Sequence, residues 1–383
     1  MKQFIILTAC VFFTVSSSAT ESVTAAPASV TKVSLGQRLY FDPNLSWNRS
    51  QSCATCHAPD KGFIDARDNG VDGMASLGDD GKSIGDRNAP TASYASFSPP
   101  FHKNKKGKYI GGQFLDGREK DLEGQAGGPP LNPAEMGMPD KQAVVARIRE
   151  NPTYMRDFKA LYGDEVFSSN ERAYAAMTES IAAFEKTDFF APFDSKYDRY
   201  LRGEYKMTEQ EELGMTLFFS QQFTNCNICH QLNKRPGTER ETFSNYEYHN
   251  IGVPVNRALR MKNGKGADFI DHGLLDNPVV TDKTQGGKFK VPTLRNIAVT
   301  GPYMHNGIFK DLRTVVLFYN KYNSRSAKRQ INPETGKPWG QPEVAENIAI
   351  KELETGPALD DKRINALVAF LKTLTDKRYE HLF

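Results

Sequence analysis

The chain is 383 residues long, 39% hydrophobic and 25% charged, with a formal net charge of +3. That is the composition of an ordinary globular protein, and the charge is too mild to argue for a nucleic-acid partner or an acidic membrane surface. Five cysteines and seven histidines leave few places for thiol or metal chemistry.

The first residues read as a secretory leader over residues 1–19. Lys2 supplies the positive end, Phe4 to Val15 an apolar run, and Ser17-Ser18-Ala19 a small-residue cleavage site before Thr20. The run is too short to span a membrane, and no later stretch approaches the necessary length. Leu7-Thr8-Ala9-Cys10 resembles a lipoprotein box but comes after almost no apolar core. The expectation is an exported, periplasmic protein with no membrane partner.

After a polar stretch to about Val30, the spacing of Val33, Leu35, Leu39 and Tyr40 predicts a short amphipathic helix. It leads to Cys53-Ala54-Thr55-Cys56-His57. From Asp60 to Gly137 the chain is rich in Gly, Asp, Asn and Pro, a long loop region suited to covering a cofactor face and binding ions. Helical patterning returns at Lys141–Ile148, Met155–Leu161 and Glu171–Phe184. The segment Ala191–Glu204 is the expected boundary between domains over 31–195 and 200–383, a division the length allows. Glu209–Phe219 is a helix delivering Cys226-Asn227-Ile228-Cys229-His230. Polar loops follow from Leu232 to Gly287, then a helix starting near Asp311 that carries Val315, Val316, Phe318 and Tyr319. Arg363–Leu374 is a closing amphipathic helix.

The two Cys-x-x-Cys-His pentapeptides use every cysteine outside the leader. In this motif the thiols add across the vinyl groups of haem, and the adjacent imidazole becomes the proximal iron ligand. A redox dithiol, a half zinc site or a disulfide would leave the histidine unexplained in both copies. The fold class is therefore mainly α, with two cytochrome c-like haem domains and long ordered loops. Similarity between the halves is otherwise weak. With His57 and His230 as proximal ligands, the question is what faces each iron from the other side. Two protein ligands suit electron transfer, and an open side suits peroxide.

Several further segments resemble the bacterial dihaem cytochrome c peroxidases, in matching order and over essentially the whole exported chain. They are Arg87-Asn88-Ala89-Pro90-Thr91, Phe114-Leu115-Asp116-Gly117-Arg118, Gln125 through Pro133-Ala134-Glu135-Met136, Lys290 through Asn296, and Gly301 through Gly307. From Asp311 through Pro333-Glu334-Thr335-Gly336 the chain is most similar to the MauG branch, which completes the tryptophan tryptophylquinone cofactor of methylamine dehydrogenase. The resemblance implies Tyr319 as second ligand of the haem on His230, where ordinary members use methionine. A phenolate is a harder, anionic donor that favours higher-valent iron. Met304 and His305 are alternatives in a turn beside Pro302. It also implies Glu135 as the acid/base at the peroxide-binding haem on His57, with Gln125 and Pro129 lining the pocket. Asn88, Thr300 and Pro302 match positions that hold calcium between the domains.

Two positions depart from the MauG pattern. Leu115 and Thr224 stand where tryptophans carry charge between the haems and to the surface, so hopping at those points is closed. Phe114, Tyr109 and Phe223 are the aromatic residues nearby in sequence. The leading expectation is a peroxide-using dihaem oxidase acting on a partner protein, for which the resemblance implies a methylamine dehydrogenase precursor as candidate. The alternatives are a peroxidase fed by a small cytochrome or cupredoxin, and a dihaem electron-transfer protein.

Overall fold

A computed structural model describes Met1 and residues 29–67, 69–233 and 235–383. Met1 aside, the expected leader and its lipoprotein-like box lie outside these residues. The chain is mainly helical. In order come α1 (Lys32–Tyr40), α2 (Cys53–Cys56), α3 (Leu122–Ala126), α4 (Lys141–Arg149), α5 (Pro152–Tyr162), α6 (Asn170–Glu185) and α7 (Lys196–Leu201). Then follow α8 (Glu209–Phe218), α9 (Cys226–Cys229), α10 (Arg257–Lys262), α11 (Leu312–Asn320), α12 (Ile350–Leu353) and α13 (Asp361–Lys372). The described strands form three antiparallel two-residue pairs, β1 (His102–Lys103) with β2 (Tyr109–Ile110), β3 (Tyr248–His249) with β4 (Phe289–Lys290), and β5 (Ile331–Asn332) with β6 (Lys337–Pro338). No helix among the described residues is long and apolar enough to cross a membrane.

Two helix pairs organise the two apolar cores. Thr31 starts α1 with a capping box closed by Ser34, and Leu35, Leu39 and Tyr40 face inward onto α6. Thr208 starts α8 with a capping box closed by Glu211, and Leu217 and Phe218 face inward onto α13. Each pair crosses at a glycine. A Cβ on Gly36 would lie 1.8 Å from the Ser180 carbonyl oxygen, and one on Gly214 would lie 1.9 Å from that of Ala366. Four residues on, the ring of Tyr40 meets Phe184 edge-on at 5.6 Å, and that of Phe218 meets Phe370 at a tilt at 5.2 Å. The halves thus share a helix-crossing geometry that their sequences barely register.

The expected helices form close to their predicted bounds, and α13 ends at Lys372, capped by Thr373. The long loop region acquires α3, and the later polar loops acquire α10. The expected boundary segment is partly ordered as α7. There Ser195 and Asp198 close a capping box, Tyr197 is buried in the second core, and Asp198 pairs with the buried Arg295 at 2.5 Å. The chain end returns to the first half, where Tyr379 joins the first core and donates to the Pro59 carbonyl at 2.6 Å.

Candidate haem sites

Each Cys-x-x-Cys-His segment is one helical turn that ends on its histidine. The His57 amide donates to the Cys53 carbonyl and the His230 amide to the Cys226 carbonyl, both at 2.9 Å. None of the four cysteines is in a disulfide. Burial pushes the thiols of Cys56 and Cys226 up to about 11 and raises that of Cys53 as well. Such thiols are poor redox nucleophiles, which argues against a dithiol exchange pair.

The two imidazoles are held alike. His57 Nδ1 lies 3.2 Å from the Phe63 carbonyl oxygen, with Pro90 a second backbone acceptor; His230 Nδ1 lies 3.2 Å from that of Phe243, with Pro292 in the same role. A carbonyl only accepts, so Nδ1 carries the proton and Nε2 keeps its lone pair for iron. Burial also lowers both pKa values, that of His230 to about 4, and keeps the rings neutral. Phe63 and Phe243 present their carbonyls from left-handed backbone, φ 58° and 55°. That conformation costs a non-glycine residue about 1–2 kcal/mol. Thr91 and Thr293 brace the same turns, donating to the carbonyls of Gly62 at 2.6 Å and Thr242 at 2.7 Å. Sequence reading missed this repeat; the paired Pro-Thr steps at 90–91 and 292–293 were its one signal.

The far sides differ. A cavity of about 380 Å³ is lined by Cys226, Cys229 and His230, and Tyr319 faces it from α11. Burial raises the Tyr319 phenol well above its ordinary value. Tyr322, nearby on the same segment, is engaged with the Ile251 carbonyl at 2.9 Å. The alternative ligand His305 is also engaged: its ring stacks on Phe289 at 3.8 Å, and its Nε2 lies 3.3 Å from Glu343 Oε2.

Around the first motif, one loop gathers Gln125 from α3, Pro129 and Glu135. The Gly128 amide donates to the Gln125 carbonyl at 3.0 Å and the Met136 amide to that of Pro129 at 3.2 Å. Asn132 Nδ2 holds Glu135 Oε1 at 2.7 Å. Burial raises the Glu135 pKa, opposed by that hydrogen bond and by Arg118. Its charge adds, as the smallest of several influences, to the raised thiol pKa values of Cys53 and Cys56.

Asn88, Thr300 and Pro302 meet on the cavity wall, Asn88 from the first half and the others from the second. The Asn88 amide also lies 3.3 Å from the carbonyl oxygens of both Gly73 and Met74. This neutral oxygen set has the chemistry calcium takes. Leu115, Thr224, Phe114 and Phe223 line the cavity too. Tyr109 instead stacks on Phe101 at 5.5 Å, and Arg118 covers Phe114 at 3.7 Å.

The residues present fit two covalently held haems: paired cysteines, a neutral histidine with a free Nε2 in each turn, and an apolar cavity of ligand-binding size. Residues 30–206 match the family model described as di-haem cytochrome c peroxidase. The chain is 56% identical to methylamine utilization protein MauG of Paracoccus denitrificans, over 94% of this chain and 92% of that one. It is 32% identical to cytochrome c551 peroxidase of Nitrosomonas europaea, over 88% and 83% of the two chains. The diheme peroxidase BthA of Burkholderia thailandensis superposes with a TM-score of 0.79 at 31% identity, covering 92% of this chain and 87% of that one. The chain therefore belongs to the di-haem cytochrome c peroxidase family and is a haem-dependent oxidoreductase of the MauG type.

Proposed function

We propose that this chain is a periplasmic enzyme that cleaves hydrogen peroxide at the haem on His57 and oxidises a docked partner protein by long-range electron transfer. Support comes from the contrast between a carboxyl of raised pKa within electrostatic range of one attachment turn and a phenol lining the cavity at the other. When bound, the two haems supply iron that takes up and holds oxidising equivalents from peroxide.

The protein's own residues do the rest. With Oε1 held by Asn132, Glu135 uses Oε2 to take the proton from one peroxide oxygen. It returns the proton to the other, which leaves as water. Gln125 and Pro129 shape the pocket that positions the peroxide. Tyr319 would supply a second protein ligand to the haem held by His230; burial raises its phenol pKa, and a bound cation would favour the phenolate. Asn88, Thr300 and Pro302 hold a calcium ion between the halves and fix the loops on either side. The partner class implied by the family resemblance is a methylamine dehydrogenase precursor; the name of the Paracoccus denitrificans relative says of that protein only that it serves methylamine utilization.

Adding stoichiometric peroxide to the holoprotein, with optical and EPR spectra recorded, tests this reading. Long-lived oxidation of both haems and negligible turnover with a reduced small cytochrome are expected. Leu115 and Thr224 favour the second reading, a peroxidase drawing electrons from such a donor. Rapid turnover with the donor would establish that reading instead.

A further inference from the structure

With leucine at 115 and threonine at 224, charge moving through this protein needs another oxidisable side chain. Four tyrosines line the cavity: Tyr94, Tyr246, Tyr303 and Tyr319. A phenol gives up an electron readily only if its proton can leave at the same time, so the group accepting its hydrogen bond decides which tyrosine can serve. Tyr303 donates to the Ile297 carbonyl at 2.9 Å, which cannot hold a proton, and the buried Tyr246 hydroxyl has no hydrogen-bond acceptor. Tyr319 is committed as a ligand in the reading above. Among the described residues, Tyr94 is the cavity tyrosine whose hydroxyl donates to a carboxylate, Asp376 Oδ1, at 2.5 Å.

The surroundings suit a reversible proton shift. Asn296 fixes Asp376 from both sides, donating from Nδ2 to Oδ2 at 2.9 Å and accepting from the Asp376 amide at 2.8 Å. The Phe193 amide donates to the Tyr94 oxygen at 3.3 Å, so that oxygen keeps a partner once its proton has gone. The Arg295 guanidinium lies over the Tyr94 ring at 5.3 Å. A positive charge on the ring is thereby disfavoured, which couples electron loss to proton loss.

Tyr94 also joins the two histidine turns. Two residues before it, the Ala92 amide donates to the Phe63 carbonyl that holds His57. On the other side, Arg295 lies over the ring of Phe243, whose carbonyl holds His230, at 5.4 Å. Tyr94 and Asn296 occupy matching left-handed positions, φ 60° and 62°, four residues after Pro90 and Pro292, and both reach Asp376.

We propose that Tyr94 and Asp376 form a proton-coupled relay for oxidising equivalents between the two haem sites. The relay rests on the peroxide reading above, since hydrogen peroxide, acting through a haem, is its oxidant. Tyr94 passes one electron to the oxidised haem and its hydroxyl proton to Asp376 Oδ1. The phenolic O–H bond breaks as a carboxyl O–H bond forms, and an electron arriving from the other haem or from a donor reverses both.

The test is rapid-freeze EPR of holoprotein carrying ring-deuterated tyrosine, mixed with one equivalent of peroxide, alongside Tyr94→Phe and Asp376→Asn. A radical signal narrowed by ring deuteration is expected in the parent protein. It should be absent from Tyr94→Phe and reduced at least about tenfold in Asp376→Asn, which keeps the phenol but loses the proton acceptor. Haem content and resting spectra serve as the folding control. Altered haem spectra without a tyrosine-derived signal, or a signal surviving in Tyr94→Phe, would overturn the relay while leaving the peroxide reading intact. Haem spectra unmoved by peroxide would overturn both.

Discussion

The two halves build the same socket for a histidine and then face it with different chemistry. In each, a glycine-crossed helix pair supports a Cys-x-x-Cys-His turn, and a left-handed phenylalanine carbonyl orients Nδ1. The proximal side is thus fixed twice in the same way. Beyond it, a raised-pKa carboxyl lies within electrostatic range of one turn and a phenol lines the cavity at the other. The contrast extends into the cores. The Gly36 and Gly214 crossings align α6 with α13, and that alignment sets Glu185 where the second half has Leu371, a residue of its cavity wall. On the proposed reading, division of labour between two similar frames rests on a few side chains, while the frame that would present iron to them stays constant.

The largest expected effect breaks the contrast at Glu135. Glu135→Gln cannot accept a proton, so peroxide cleavage should slow by about 10²–10⁴-fold with the resting spectrum preserved. In the parent protein cleavage should fall as pH drops through the Glu135 pKa. Burial raises that pKa, so the loss begins at a higher pH than for an ordinary glutamate. Stopped-flow absorbance across pH checks both.

Next comes Glu185, fully buried with Oε2 unpartnered and its carboxyl pushed up to about 8 by burial. Between the ordinary glutamate value and about 8 the folded protein holds a proton that the unfolded chain has lost. Stability therefore falls as pH rises through that window, by up to about 5 kcal/mol in all. Denaturant titrations should show the slope in the parent protein and its removal in Glu185→Gln; an equal slope in both would refute the assignment.

Gly36→Ala and Gly214→Ala probe what the halves share. Each sets a methyl group against backbone and should destabilise its own half by about 1–3 kcal/mol or more. Thermal unfolding that responds to one and not the other would show that the frames differ. The smallest effects are expected for Thr91→Val and Thr293→Val, each losing one donated bond and one accepted from the amide of Ser93 or Arg295, together worth about 1–2 kcal/mol. Matched losses in denaturant titrations would sharpen the equivalence.

Much of the frame was legible in the sequence. Periodic apolar residues marked α1, α6, α8, α11 and α13, and the pentapeptides marked both attachment turns, because that chemistry needs adjacent residues. The short α7 was hidden among Pro192, Asp194 and Ser195, which read as linker until Tyr197 and Asp198 are seen buried. The repeat escaped because it rests on single residues at unequal spacing, such as Gly36 and Gly214 or Phe63 and Phe243. Glu135, Tyr319 and the Asn88 cluster rested on resemblance, since residues distant in the chain that meet in space leave no spacing rule. Tyr94 and Asp376 left no signal at all: a hydrogen bond spanning most of the chain has no sequence pattern.

The division between the haem sites is tested most directly by EPR of the resting ferric holoprotein and of Tyr319→Phe. One high-spin signal from the His57 site and one six-coordinate low-spin signal are expected in the parent protein, and the low-spin signal should be lost in Tyr319→Phe. Two low-spin signals, or a low-spin signal indifferent to the substitution, would contradict the division of labour.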